Sequence, residues 1–162
     1  MKNLIVAMSM LSIGILFTGC PYESTVPIDK PSMAINLKFL GTWEDTTHHD
    51  TYTVSKQDEF SYSIKQINNE PEENKKYIAY ASQINGIDFL NVWDTESKNP
   101  VRKYSFYKMD IKSPGSINLL EITENIDEEF TSSDDLKKFI GLNMHNSYFF
   151  GKDELNLIRT GK

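Results

Sequence analysis

Beyond Leu40, apolar and polar residues alternate with a period of two, and no other feature constrains the fold of this chain as strongly. Phe60, Tyr62 and Ile64 alternate with Ser61, Ser63 and Lys65, and Tyr107, Met109 and Ile111 with Lys108, Asp110 and Lys112. Successive side chains of a strand point to opposite faces, so such runs read as half-buried strands. Residues 41–47, 50–56, 75–84, 87–94, 102–107, 116–123 and 154–160 are further strand candidates. Turn signals separate most of them: Asn68-Asn69-Glu70-Pro71, Asn85-Gly86, Asn99-Pro100 and Ser113-Pro114-Gly115-Ser116. Asn85-Gly86 between two apolar runs is the strongest hairpin signal. Short strands joined by hairpin-sized links predict an all-β, antiparallel meander, closed as a barrel or packed as a sandwich.

One segment breaks the period. Ser132 or Ser133 can cap a helix, with Asp134 and Asp135 favourable in its first turn. Leu136, Phe139, Ile140 and Met144 follow at helical spacing, and His145-Asn146 ends the run. Gly141 inside it costs about 1 kcal/mol of helix propensity. This single short helix precedes the last strand and is expected to lid the barrel mouth or plug one end.

The N-terminus carries a targeting signal. Met1-Lys2-Asn3 is a short positive region, and Leu4 to Phe17 is apolar apart from Ser9, Ser12 and Gly14. That is the layout of a secretory signal peptide, and the run is shorter than the roughly 20 residues a membrane span needs. Leu16-Phe17-Thr18-Gly19-Cys20 resembles a lipobox, which implies removal of residues 1–19 and lipidation of Cys20. The thioether-linked acyl chains would then anchor the protein, each buried methylene contributing about 0.8 kcal/mol. Cys20 is the only cysteine, so the mature chain has no disulfide and must rest on its core. Pro21 follows the cysteine, and no Asp stands there. By resemblance to enterobacterial sorting this favours the periplasmic face of the outer membrane, with an inner or plasma membrane as the other address.

Cleavage leaves 143 of the 162 residues and removes Lys2, so 16 of the 17 basic residues face 23 acidic ones, a formal charge of −7. Nucleic acid and anionic surfaces call for a basic face, and neither is expected as a partner. Residues 20–36 contain Pro21, Pro27 and Pro31 and few large apolar groups. They are expected to form a semi-stiff tether at about 3.1 Å per residue, a packed arm being the other reading. Residues 37–162 form a single domain.

Leu40-Gly41-Thr42-Trp43-Glu44 places a Gly-x-Trp at the first strand, and Leu155-Asn156-Leu157-Ile158-Arg159 lies near the end. This resembles the lipocalin and fatty-acid-binding (calycin) pattern, in which the Trp closes the narrow end of a barrel and a terminal-strand Arg stacks over it. The resemblance implies an eight- or nine-stranded calycin-like barrel with a structural Trp43–Arg159 pair, although here the helix precedes the last strand instead of following it. A wider stretch is similar to a family of uncharacterised bacterial lipoproteins: Cys20, Glu23-Ser24-Thr25-Val26-Pro27, the Gly-x-Trp segment, Tyr80, Ile84-Asn85-Gly86, Phe89-Leu90-Asn91-Val92 and Leu136 with Phe139-Ile140. It implies an envelope address and a small barrel, and no reaction.

Chemistry-bearing motifs are sparse. His48-His49-Asp50 offers metal-ligand types, but neighbouring strand residues point to opposite faces and do not easily share an ion. The Asp127-Glu128-Glu129 and Asp134-Asp135 acids lack the spacing of a calcium loop. There is no nucleophile elbow, phosphate loop or cysteine nucleophile. No catalytic residue, metal or cofactor is expected. Tyr52, Phe60, Tyr62, Tyr80, Phe89, Trp93, Tyr104 and Phe106 are candidates to line an apolar cavity, and a small barrel either holds one ligand or fills itself with side chains. The expectation is a non-enzymatic, membrane-anchored envelope protein that binds a small amphipathic ligand in its barrel. The alternative is a protein-interaction module, whether assembly accessory, inhibitor or immunity protein, whose acidic surface meets a basic partner.

Overall fold

The computed structural model describes residues 21–68, 74–123 and 125–161; the apolar N-terminal run and Cys20 lie outside them. Eight antiparallel strands form a closed barrel in chain order: β1 (Gly41–Asp45), β2 (Thr51–Lys56), β3 (Tyr62–Ile67), β4 (Lys75–Ile84), β5 (Ile87–Asp94), β6 (Ser105–Ser113), β7 (Ser116–Ile122) and β8 (Phe150–Gly161). Helix α1 (Ser133–Asn143) lies between β7 and β8. Each strand pairs with its sequence neighbour, and β8 closes on β1 with Trp43 opposite Arg159. Asn85 and Gly86 have positive φ (50° and 80°) and turn β4 into β5, with Ile84 facing Ile87, as the two-residue hairpin requires.

Two apolar clusters divide along the pleat. Inside the barrel, Trp43, Val54, Tyr62, Ile64, Ala79, Leu90, Ile117, Leu119 and Leu157 pack together, with Phe39 from the 3-10 turn Leu37–Phe39 at the base. On the outer wall of β4, β5 and β6, Tyr80, Ile84, Phe89 and Phe106 form a second cluster with Leu136 and Ile140 of α1, with Met144 at its C-terminal cap, and with Tyr22 and Ile28. The wall formed by β4–β6 is therefore apolar on both faces.

Helix α1 neither lids nor plugs the barrel. It lies along the outer wall, where a Cβ on Gly141 would stand 3.3 Å from Ile84 Cγ2. The missing side chain lets the helix approach the sheet, which accounts for a residue of poor propensity there. Ser132 caps the helix by accepting from the Asp135 N–H.

Residues 21–36 are not a free tether. The arm starts between the splayed ends of β6 and β7: Tyr22 N–H donates to Ile122 O (3.1 Å), and Ser24 exchanges backbone hydrogen bonds with Tyr104 (3.0 and 2.8 Å). It then runs down the outer wall, where the buried Ile28 donates its N–H to Asn91 Oδ1 (2.8 Å). Asn91 in turn donates to Ser82 Oγ (2.8 Å) and Tyr80 O (3.3 Å), and Tyr80 OH donates to Asp29 O (2.8 Å). At the far end Ile35 N–H reaches Glu59 O, and Asn36 N–H reaches the Tyr62 hydroxyl. The tether reading overlooked that Tyr22, Val26 and Ile28 have an apolar wall to cover.

Candidate functional site: the barrel mouth

The two ends of the barrel differ. One is shut. Trp43, fully buried, donates its Nε1–H to Phe39 O (2.9 Å), and Phe39 stacks edge-on against Tyr62 at 5.2 Å. The Arg159 guanidinium stands 4.3 Å from the Trp43 ring centroid and donates to the carbonyls of Leu40 (2.7 Å) and Lys38. Trp43 and Arg159 thus meet, and they form the floor.

The other end opens among Tyr52, Tyr77 and Tyr107, on the inward faces of β2, β4 and β6. A narrow cavity of about 90 Å³ lies beneath them, bounded by these rings, Gln66 and the apolar interior down to Phe39. Above it spreads an open cleft of about 720 Å³, sharing Tyr77, Val92 and Tyr107 with the inner cavity. Polar groups ring the entrance. Tyr77 OH donates to Gln66 Oε1 (3.0 Å), and Gln66 Nε2 donates to Asp50 Oδ2 (2.9 Å). Glu121 stands directly opposite Tyr107 on β7. Asp94 ends β5 opposite Tyr77.

Burial, followed by the negative charge of Glu121, holds the Tyr107 phenol well above the ordinary tyrosine range. Tyr77 is pushed up to about 12 by burial and then by Asp94, Glu121 and Asp50. Burial and then Asp50 raise Tyr52 likewise. All three phenols are therefore neutral at physiological pH. The entrance presents π faces and hydroxyl donors beside carboxylates, an arrangement that attracts a cation and repels an anion.

The cleft rim adds cations to these carboxylates. Lys75, Arg102 and Lys103 line it, with Trp93 and Pro21. Arg102 stacks over Trp93 at 4.6 Å, and Lys103 pairs with Glu23 at 3.0 Å.

Of the eight aromatic residues expected to line a cavity, Tyr52 borders the inner one. Tyr62 faces inward but is packed on Phe39. Tyr80, Phe89, Tyr104 and Phe106 belong to the outer wall, under the arm and helix. Trp93 lies on that same face and reaches the rim. Phe60 precedes β3 in the turn after β2. Tyr77, Tyr107 and Glu121 went unrecognised, although Ile117, Leu119 and Glu121 sit at alternate positions and so place a carboxylate on an inward apolar face.

His48 and His49 do not converge on a shared site. His48 Nδ1 lies 2.6 Å from the buried Asp45, and His49 Nδ1 lies 3.8 Å from Glu44. No family model, curated protein sequence or solved structure matches this chain.

Proposed function

We propose that this chain is a non-enzymatic binding protein of the bacterial envelope, anchored through Cys20, whose site is the barrel mouth and whose ligand offers a cationic group. The lipobox-like segment ending in Cys20 supports the address. The site rests on one observation: three neutral tyrosines and the carboxylates of Glu121, Asp50 and Asp94 surround the entrance to a cavity of only about 90 Å³. Pockets for drug-sized molecules run from about 300 Å³ upward. The interior suits an ammonium-sized group, not an acyl chain, so the geometry favours recognition at the mouth over a lipid carried inside.

Titration of the full-length protein in mild detergent with propylammonium, followed by NMR of the tyrosine ring resonances, tests this reading. The expected result is a shift confined to Tyr52, Tyr77 and Tyr107, absent with the neutral isostere propanol and weakened about tenfold or more in Glu121→Gln. Equal response to propanol, or none to propylammonium, would overturn it.

A further inference from the structure

The arm that displaces the tether also fixes where the anchor is attached. Pro21 pairs with Thr123 just beyond β7 and is itself part of the cleft rim. Pro21 is the residue that directly follows Cys20 in the sequence. An anchor attached there leaves the cleft no spacer from the bilayer. The shut end, with Trp43 and Arg159, lies at the opposite pole.

The cleft carries charge of two signs in layers. Glu121 and Asp50 stand beside the tyrosine rings at the entrance, and Lys75 and Arg102 line the open cleft, which Asp94 also borders. A ligand matching both layers is a zwitterion with an ammonium at its tip and an anionic group a few bonds behind. The narrow cavity below admits no hydrocarbon tail, so the ligand's apolar part must stay outside, on the membrane side.

Building on the proposed mouth site, we infer that the open end faces the anchoring bilayer and clasps the headgroup of a zwitterionic phospholipid. The ammonium enters the ring of Tyr52, Tyr77 and Glu121, and the phosphate meets Lys75 and Arg102. The acyl chains remain in the membrane, so the protein holds a lipid in place and does not extract it.

Two measurements on the lipidated full-length protein test this. In vesicles carrying a headgroup nitroxide lipid, tryptophan quenching is compared between wild type and Trp93→Phe. Trp93, at the rim, should be quenched, while Trp43, the emitter left in the variant, should not. Quenching of Trp43 as strong as that of Trp93 would overturn the orientation. In mild detergent, native mass spectrometry should show phosphatidylethanolamine retained at least tenfold over phosphatidylglycerol, competed by glycerophosphoethanolamine, and lost about tenfold in Arg102→Ala and in Glu121→Gln. Arg102 is at the rim, so its removal leaves the core intact. Equal retention of phosphatidylglycerol, or indifference to both variants, would overturn the headgroup assignment. So would photo-crosslinking from the cleft, in intact envelopes, to a basic protein and not to lipid. Propylammonium binding without phosphatidylethanolamine preference sinks this inference alone, whereas loss of propylammonium binding removes the mouth site itself.

Discussion

The guanidinium of Arg159 occupies the space that a side chain on Gly41 would need. A Cβ there would lie 2.5 Å from Arg159 Nη1 and 2.8 Å from Gly161 O, at a φ of +133°. The glycine of Gly-x-Trp thus makes room for the arginine that stacks on the tryptophan two residues later.

That contact predicts coupled destabilisation. Arg159→Ala should cost about 1–3 kcal/mol, from the lost cation–π contact and two carbonyls left without their donor. Gly41→Ala should cost about 2 kcal/mol or more, from strain and overlap. In the double variant the clash with Nη1 disappears, so its cost should fall short of the sum. Urea unfolding of the three proteins gives the coupling; strict additivity would show that the two sites are independent.

Asp45 predicts an acid-sensitive closure. Its carboxyl is fully buried, which alone would raise its pKa. Hydrogen bonds from Thr47 N–H, the His48 ring, His48 N–H and Asn156 N–H outweigh that and hold it below the ordinary value. A carboxyl depressed on folding contributes stability above its unfolded value, about 3.9, and loses it as pH falls through its folded value. Asp45→Asn should cost about 1–3 kcal/mol at pH 7 and flatten the stability profile below about pH 4. An unchanged acid slope in the variant would count against this assignment.

Asn91 predicts how the arm comes loose. Its side chain holds Ile28 N–H, Ser82 and Tyr80 O in a buried network. Asn91→Leu should leave Ile28 N–H buried and unsatisfied, at about 1–3 kcal/mol. Limited proteolysis should then cut within residues 25–36 while the barrel persists. Protection equal to that of the wild type would mean that the arm is held by its apolar contacts alone.

Gly141 predicts a steric limit at the helix. A Cβ would meet Ile84 Cγ2 at 3.3 Å. In Gly141→Ala, a gain of about 1 kcal/mol in propensity opposes that crowding; Gly141→Leu should push α1 off the wall and cost about 1–3 kcal/mol. Hydrogen exchange across 133–143 would register the lifted helix, and unchanged protection in Gly141→Leu would refute the close approach.

The strand pattern was legible because hairpin links and period-two runs are local signals. Asn85-Gly86 and the Ser132-capped helix lie where those signals put them. The choice of face was not legible on β4 to β6. Tyr77 and Ala79 alternate with Ile78 and Tyr80, and Leu90 and Val92 with Phe89 and Trp93, so both faces read as apolar. Only the arm and helix, packed from distant parts of the chain, show that the second face is a covered outer wall. The Trp43–Arg159 contact was legible through resemblance. The Tyr107–Glu121 pair was not, because it depends on the β6–β7 register.

The arm has a consequence for the order of events in making the protein. Synthesis delivers the N-terminus first, yet Tyr22 OH binds Glu128 O, 106 residues on, and Arg159 reaches Leu40 across 119 residues. Such distant pairings form late and slowly. The arm, made early, is therefore among the last segments to find its place, and its seat between β6 and β7 exists only once most of the chain has followed. Interrupting synthesis before β8 emerges leaves the arm unseated and the barrel seam unpaired together.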